Sequence, residues 1–326
     1  MQDVAHLARV SLKTVSRVVN DEPGVTPATS ERVHEAIATL GFRRNDVARA
    51  LRQGQVSRTL GLVIEDVSNP FYSAITRGVE EETRARRFLV IAGSSDEDPD
   101  RERLLLALLC ERRVDGLLIV PAGNDHRYLL PELEHGTPAV FIDRPPGRIK
   151  ADAILLDNVG GARRAVEHLL AHGHRRIAIV ADSPTIWTAA ERYRGFRQAH
   201  AAIGIGVDPD LVHLGAHNPL DAEVAVRQLL ALRSPPTALF AGNNLITTGA
   251  MRALAGHGVA VVGFDDVELA EMLRPPLTTV SYDAAELGRR AARLLWQRLS
   301  GDHRPPQRVV LPTRLVPRGS GELRAA

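Results

Sequence analysis

Apolar positions along the chain follow two rhythms, and the change between them falls near residue 55. In the first stretch they recur at helical spacing: Val4, Leu7 and Ala8 in QDVAHLARV, then Val15, Val18 and Val19 in KTVSRVVN, then Val33, Ile37 and Leu40. Steps of three and four place each set on one helix face. The third helix carries its own punctuation, with Thr26 at the N-cap, Pro27 at the first helical position and Gly41 as the stop. This pattern predicts three short helices packed as a small all-α domain.

From Thr59 onward, short apolar runs take over: LGLVIE, FLVIAG, DGLLIV, AVFID, AILLD, RIAIVA, TALFAG and VAVVGF, mostly separated by one helix's worth of residues. Such alternation predicts parallel sheets with helices on both faces. The fold class is therefore α/β, with the helical headpiece followed by two doubly wound lobes. Ligands of such sheets lie beyond the carboxyl ends of the strands, where EDVSNPFY, FIDRPP, AGNN and GFDD fall. No G-x-G-x-x-G follows the first strand and no G-x-x-x-x-G-K-[ST] occurs, so nucleotide-cofactor chemistry lacks its best marker.

Composition narrows the classes further. The chain has 326 residues, 44% of them hydrophobic, and a net charge of only +2, so any basic surface must be local. Cys110, the single cysteine, sits in the apolar helical pattern LLALLCERR and reads as a core thiol. No apolar run approaches the ~20 residues that span a bilayer, and the N-terminus does not read as a signal peptide; the expected location is the cytoplasm. The 12 histidines show no metal or nucleophile-base spacing, and His172 and His174 in HGH fall in a predicted turn. The expectation is a protein without cofactor or metal, and not an enzyme.

In KTVSRVVN the valines form the buried stripe, leaving Lys13, Ser16, Arg17 and Asn20 on the opposite face. A helix-turn-helix unit presents such a face to the DNA major groove, while an ordinary solvated helix presents the same residues to water. Periodicity leaves both open.

A longer comparison of motifs bears on that choice. DVAHLARVSLKTVSRVVN followed by VTPATSERVHEAIATLGFRRNDVARALRQGQ resembles the headpiece of the LacI/GalR family of bacterial transcription regulators. The similarity continues through GLVIEDVSNPFY, RVDGLLIVP, DNVGGARRAVEHLLAHGHRRIAIV, ERYRGF, VVGFDD, PPLTTV and LPTRLVPRGS, across essentially the whole chain. The resemblance implies a headpiece over 1–44, a hinge helix and linker over 45–57, and an effector-binding and dimerisation domain over 58–326. Within that domain it implies an N-lobe of about 58–156 and 282–312 and a C-lobe of about 157–281 and 313–326.

It also implies roles. Leu12, Lys13 and Arg17 would read base edges while Ser11, Thr14, Ser16 and Asn20 anchor the DNA backbone. Asn45 would cap a hinge helix and Leu51 would enter the minor groove, with Arg49 among the arginines drawn to phosphate. A hinge of six or seven residues is too short to be helical alone, so it should fold only against DNA and a partner hinge. Effector residues would be Phe71, Tyr72, Asp143, Arg192, His217, Asn243 and Asp265, a set suited to a sugar, sugar derivative or nucleoside. Other roles stay open: Asp265 as a helix cap, Phe71 or Tyr72 as core, Arg192 in a structural salt bridge, and His217 either stacking on ligand or facing solvent.

Three positions depart from the family pattern. Arg9 stands where glycine is usual in the turn, Asn244 where aspartate is usual, and LGAHNP supplies Ala216 and His217 where an aromatic commonly follows Gly-Asp. The abrupt start suggests a true start a few residues upstream. LVPRGS also matches an engineered thrombin site but reads as native after LPTR. No leucine heptads follow, so a homodimer on a near-palindromic DNA operator is expected. The rival reading is a solute-binding protein of a transport system built from the same lobes.

Overall fold

A computed structural model of the chain describes residues 1–19, 22–41 and 57–325. They divide into two compact units, Met1–Ser57 and Arg58–Ala326. The first contains α1 (Gln2–Leu7), α2 (Leu12–Val19) and α3 (Pro27–Thr39). Val4, Ala5, Ala8, Val15, Val18, Val33 and Ala36 form its core. Leu7 and Leu40, both predicted inside, are 49% and 45% exposed. Ala5 and Ala36 are buried in the core instead, and Leu40 lies past the last turn of α3. Thr26 holds the N-cap position, but its hydroxyl donates to Thr29 Oγ1 at 2.9 Å instead of accepting a backbone amide. Arg9 closes α1 at φ +53°, the left-handed region where a side chain costs roughly 1 kcal/mol and glycine nothing.

The second unit is built from two six-stranded sheets. One contains β1 (Thr59–Ile64), β2 (Leu89–Ser94), β3 (Gly116–Ile119), β4 (Ala139–Ile142) and β5 (Asp152–Leu156). The other contains β6 (Ile177–Ala181), β7 (Val212–Leu214), β8 (Ala238–Ala241), β9 (Ala260–Phe264) and β10 (Thr278–Ser281). The last two strands divide: β11 (Arg308–Leu311) joins the first sheet, and β12 (Arg314–Val316) joins the second. The orders are β11-β5-β4-β3-β1-β2 and β12-β10-β9-β8-β6-β7, parallel throughout except for the antiparallel β12. All eight predicted strands are present. The additional four are three or four residues long, and each contains a polar residue that shortens the apolar run.

The connecting helices are α4 (Pro70–Arg84), α5 (Pro99–Glu111), α6 (Leu130–Glu134), α7 (Asn158–Ala171), α8 (Trp187–Ala202), α9 (Pro219–Leu230), α10 (Asn244–Ala253) and α11 (Ala284–Leu299). Three begin with Asn-Pro or Asp-Pro, and each of those caps, Asn69, Asp98 and Asn218, accepts a backbone amide. A cap of this kind stabilises by about 1 kcal/mol. Helices α4 and α11 cross at Gly78 and Gly288; a Cβ on these would come within 2.0 Å of the Ala285 carbonyl oxygen and 2.1 Å of that of Ile75. Apolar clusters cover both faces of each sheet, so the strand ends are held by four packed layers. Cys110 is half-buried in one of them, and burial pushes its thiol up to about 11. The chain passes between the sheets three times: after β5, after β10 and between β11 and β12.

Candidate functional site

In the headpiece, Val15 and Val18 face the core and fix the rotation of α2. That leaves Ser11, Leu12 and Lys13 exposed and Thr14, Ser16 and Arg17 partly so. Ser11 caps the helix: its Oγ accepts the Thr14 amide at 3.1 Å, and the two hydroxyls lie 2.9 Å apart. Leu12 is 49% exposed, an apolar side chain beside a lysine on the face predicted to meet DNA. Asn20, Asn45, Arg49 and Leu51 lie outside the described residues.

In the second unit, residues that follow β1, β4, β6, β7, β8 and β9 line one cavity of about 40 Å³. That is room for a few waters, against roughly 300 Å³ or more for a ligand pocket. All seven predicted effector residues are on its wall: Phe71, Tyr72, Asp143, Arg192, His217, Asn243 and Asp265. The structure adds Glu65, Asn69, Arg144, Asp182 and Asn244, among others. Glu97 stands behind them on Arg144.

Asp143 and Asp265 occupy matching places in the two lobes, each following a central strand with φ of +67° and +72°. Aspartate tolerates this left-handed turn better than bulky residues do. Asp265 does not cap the next helical turn along the chain. Its Oδ2 accepts the Asn244 amide at 3.1 Å, and its Oδ1 accepts the hydroxyl of Tyr282. Asp143 is 2% exposed, its Oδ1 has no hydrogen-bond partner among the described residues, and burial raises its carboxyl above the usual range.

Arg144 is surrounded. It donates to Glu97 Oε2 and the Pro121 carbonyl at 2.8 Å each, to Glu65 Oε2 at 3.1 Å, to Tyr72 Oη at 3.3 Å and to Glu97 Oε1. Tyr72 is core and cavity wall together: its ring belongs to the apolar cluster, and its hydroxyl donates to Glu65 Oε2 at 2.5 Å. Burial and the neighbouring Glu97 push the Glu65 carboxyl up to about 8 despite Arg144.

In the opposite lobe, Arg192 is also engaged. Its Nε donates to Asn158 Oδ1 at 2.8 Å and its Nη1 to the Gly242 carbonyl at 2.7 Å, while Nη2 lies 3.7 Å from Asp265. The guanidinium stacks 3.9 Å over the ring of Phe264. Asn243 uses its side-chain oxygen to cap α10 through the Ile246 amide at 2.8 Å. His217 is about half exposed, and its Nδ1 meets Asp182 at 3.1 Å; that hydrogen bond raises it to about 9. Phe71 stands edge-on to Tyr72 and Tyr282. Asn244 Nδ2 donates to Asn69 Oδ1 at 2.8 Å, joining the residues that start α10 and α4, so the lobes are bonded to each other across the cavity.

Two family models match separate parts of the chain. A model described as bacterial regulatory proteins, lacI family, matches residues 1–45, and a periplasmic binding protein-like domain model matches residues 166–321. The HTH-type transcriptional regulator CelR of Thermobifida fusca is 36% identical over 336 residues, covering 98% of each protein. Among solved structures, the lac repressor dimer bound to operator and the anti-inducer ONPF superposes with a TM-score of 0.83 at 28% identity, covering 98% of both chains. A CelR–cellobiose complex gives 0.73 at 34% identity, again with 98% coverage of both.

Proposed function

The chain belongs to the LacI family of bacterial regulatory proteins and is a DNA-binding transcriptional regulator, and from that premise we propose a homodimeric repressor whose operator affinity is set by a small polyhydroxy effector in the cavity between its lobes. The observation that carries the effector site is the convergence of Phe71, Tyr72, Asp143, Arg192, His217, Asn243 and Asp265, which come from six separate chain segments, on one cavity. The dimer bound to operator and the cellobiose complex among its structural neighbours supply the model for both partners.

At the DNA end, Lys13 and Arg17 supply charge for phosphates and base edges, and Leu12 supplies an apolar contact. Two such helices, one from each chain, read two half-sites. At the effector end, a cavity of about 40 Å³ takes no sugar as it stands, so binding must move the lobes apart and replace the Asn69–Asn244 bond. The effector shifts DNA affinity only by binding one arrangement of the lobes better than the other. We read the molecule as a binder, not a catalyst, acting in the cytoplasm where its operator is. The solute-binding alternative leaves the match of residues 1–45 to a DNA-binding family without purpose.

The test is a thermal-shift screen with cellobiose, ribose and nucleosides, followed by operator release with each hit. A ligand at 100 times its dissociation constant stabilises by about 2.7 kcal/mol. Arg17→Ala should weaken operator binding by about 1–3 kcal/mol with no change in effector binding. Undiminished DNA affinity in that variant refutes the headpiece assignment, and turnover of cellobiose refutes the non-catalytic one.

A further inference from the structure

The cavity's two walls differ in charge. On the N-lobe side the carboxyl groups of Glu65, Glu97 and Asp143 gather around one guanidinium, Arg144. On the other side Asp182 and Asp265 are matched by His217 and Arg192. An arginine pair at a ligand cavity ordinarily signals a phosphate or carboxylate ligand, because a guanidinium offers a fork to such groups. Neither fork is wholly free here. Both Nη atoms of Arg144 are bonded to Glu97, Glu65, Tyr72 and Pro121, leaving only Nε without a hydrogen bond among the described residues, and Arg192 is bonded to Asn158 and the Gly242 carbonyl with Nη2 held 3.7 Å from the Asp265 carboxylate.

A second, independent observation points to a ligand. Asp143 is 2% exposed and lines the cavity, yet its Oδ1 accepts no hydrogen bond from any described residue. A buried acceptor left unmade costs about 1–3 kcal/mol, and what satisfies it is a donor. A hydroxyl or an ammonium supplies one; a phosphate or carboxylate supplies more negative charge instead.

We propose that Glu97, by holding Arg144, makes this cavity an anion filter, so that the effector is a hydroxyl- or amine-bearing compound without phosphate or carboxylate, one donor of which meets Asp143. The assignment rests on the cavity being the effector site. Glu97 acts through Arg144 and is a positioning residue: by occupying both Nη atoms it keeps the guanidinium from serving as an anion receptor. Removing it reverses the selection.

The experiment uses the full chain and two probes. A small-molecule bacterial extract is split on an anion exchanger at pH 7 into unretained and retained fractions, and each is tested for thermal stabilisation. Stabilisation by the unretained fraction alone is the expected result, and glucose, glucosamine and glucose 6-phosphate then separate neutral from cationic ligands within it. Stabilisation by the retained fraction overturns the filter while leaving the effector site standing. No stabilisation by either overturns the effector-site reading, and the filter falls with it. Second, inorganic phosphate is titrated at constant ionic strength against wild type, Glu97→Gln and Glu65→Gln/Glu97→Gln. Phosphate affinity should rise by about tenfold or more in whichever variants fold, the scale on which like charges discriminate between partners. This gain cannot come from misfolding. Equal phosphate binding by wild type and variants overturns the proposal.

Discussion

The two lobes place acidic residues at corresponding strand ends and yet finish with different electrical character. In the C-lobe wall, Asp265 has a partner for each oxygen, Arg192 is bonded to two acceptors and ion-paired with Asp265, and Asp182 is paired with His217. In the N-lobe wall, three carboxyl groups divide one guanidinium and Asp143 keeps an oxygen with no hydrogen-bond partner among the described residues. The topology of parallel strands decides where such side chains stand, since each lobe sends its loops to the same end. What they do there is decided by charge matching, which the topology leaves free.

The sharpest way to break this comparison is to remove each arginine. Arg144→Ala leaves Glu65, Glu97 and Asp143 buried together and should destabilise by about 3–5 kcal/mol in urea unfolding, as buried pairs do when one partner is lost. Arg192→Ala removes donors from Asn158 and the Gly242 carbonyl but leaves Asp265 with Tyr282 and the Asn244 amide, so its cost should be about 1–3 kcal/mol. Equal losses would erase the asymmetry.

Next comes pH. A carboxyl raised from 4.5 to about 8 binds its proton more tightly folded than unfolded. Its contribution to stability is therefore complete below pH 4.5 and lost as pH rises through 8. Glu97, Arg144 and Tyr72 face it from its own wall, and Asp143 lies beside Arg144. Glu65→Gln should flatten the fall in Tm between pH 5 and 8; an unchanged slope assigns the fall elsewhere. His217 behaves alike at higher pH, its contribution complete below 6.5 and lost as pH rises through about 9. Because it is half exposed, His217→Ala should change the pH 7–10 profile far less than Glu65→Gln changes its own range.

The smallest effect concerns the bond that joins the two walls. Asn244→Ala should lower stability by about 1 kcal/mol, the ordinary worth of one hydrogen bond. Restoring the family's usual residue with Asn244→Asp places an acceptor opposite Asn69 Oδ1 and should open the lobes more. Small-angle scattering that detects no change in either variant would remove this bond from the account of closure.

Much of this was legible in the sequence. The alternation of apolar runs and helical stretches predicted eight strands correctly because each is four to six residues of contiguous apolar chain. The four unpredicted strands are short pieces that pair only because a lobe is already there. Leu7 and Leu40 were misplaced for a different reason: spacing alone cannot tell which side of the short α1 a neighbour will cover, nor that Leu40 falls past the last turn of α3. The seven candidate cavity residues came from family motifs and line one wall or the other. Glu65, Glu97 and Arg144 escaped notice because their meaning is mutual. They are separated by 32 and 47 positions, and only the fold makes them neighbours. A weak signal was present, in that VIED and IVAD end β1 and β6 alike.

The three passages of the chain between the sheets have a consequence for biosynthesis. The N-lobe sheet receives its outer strand β11 only after β6 to β10 have left the ribosome. Until residue 311 emerges, β5 stays a bare edge with its ladder groups unpaired, while the headpiece has long been free to form. Birth of the molecule is thus stepwise: a reader of DNA first, an unfinished lobe held waiting through more than 150 residues of translation, and both halves of the sensor closed only as residues 308–316 emerge.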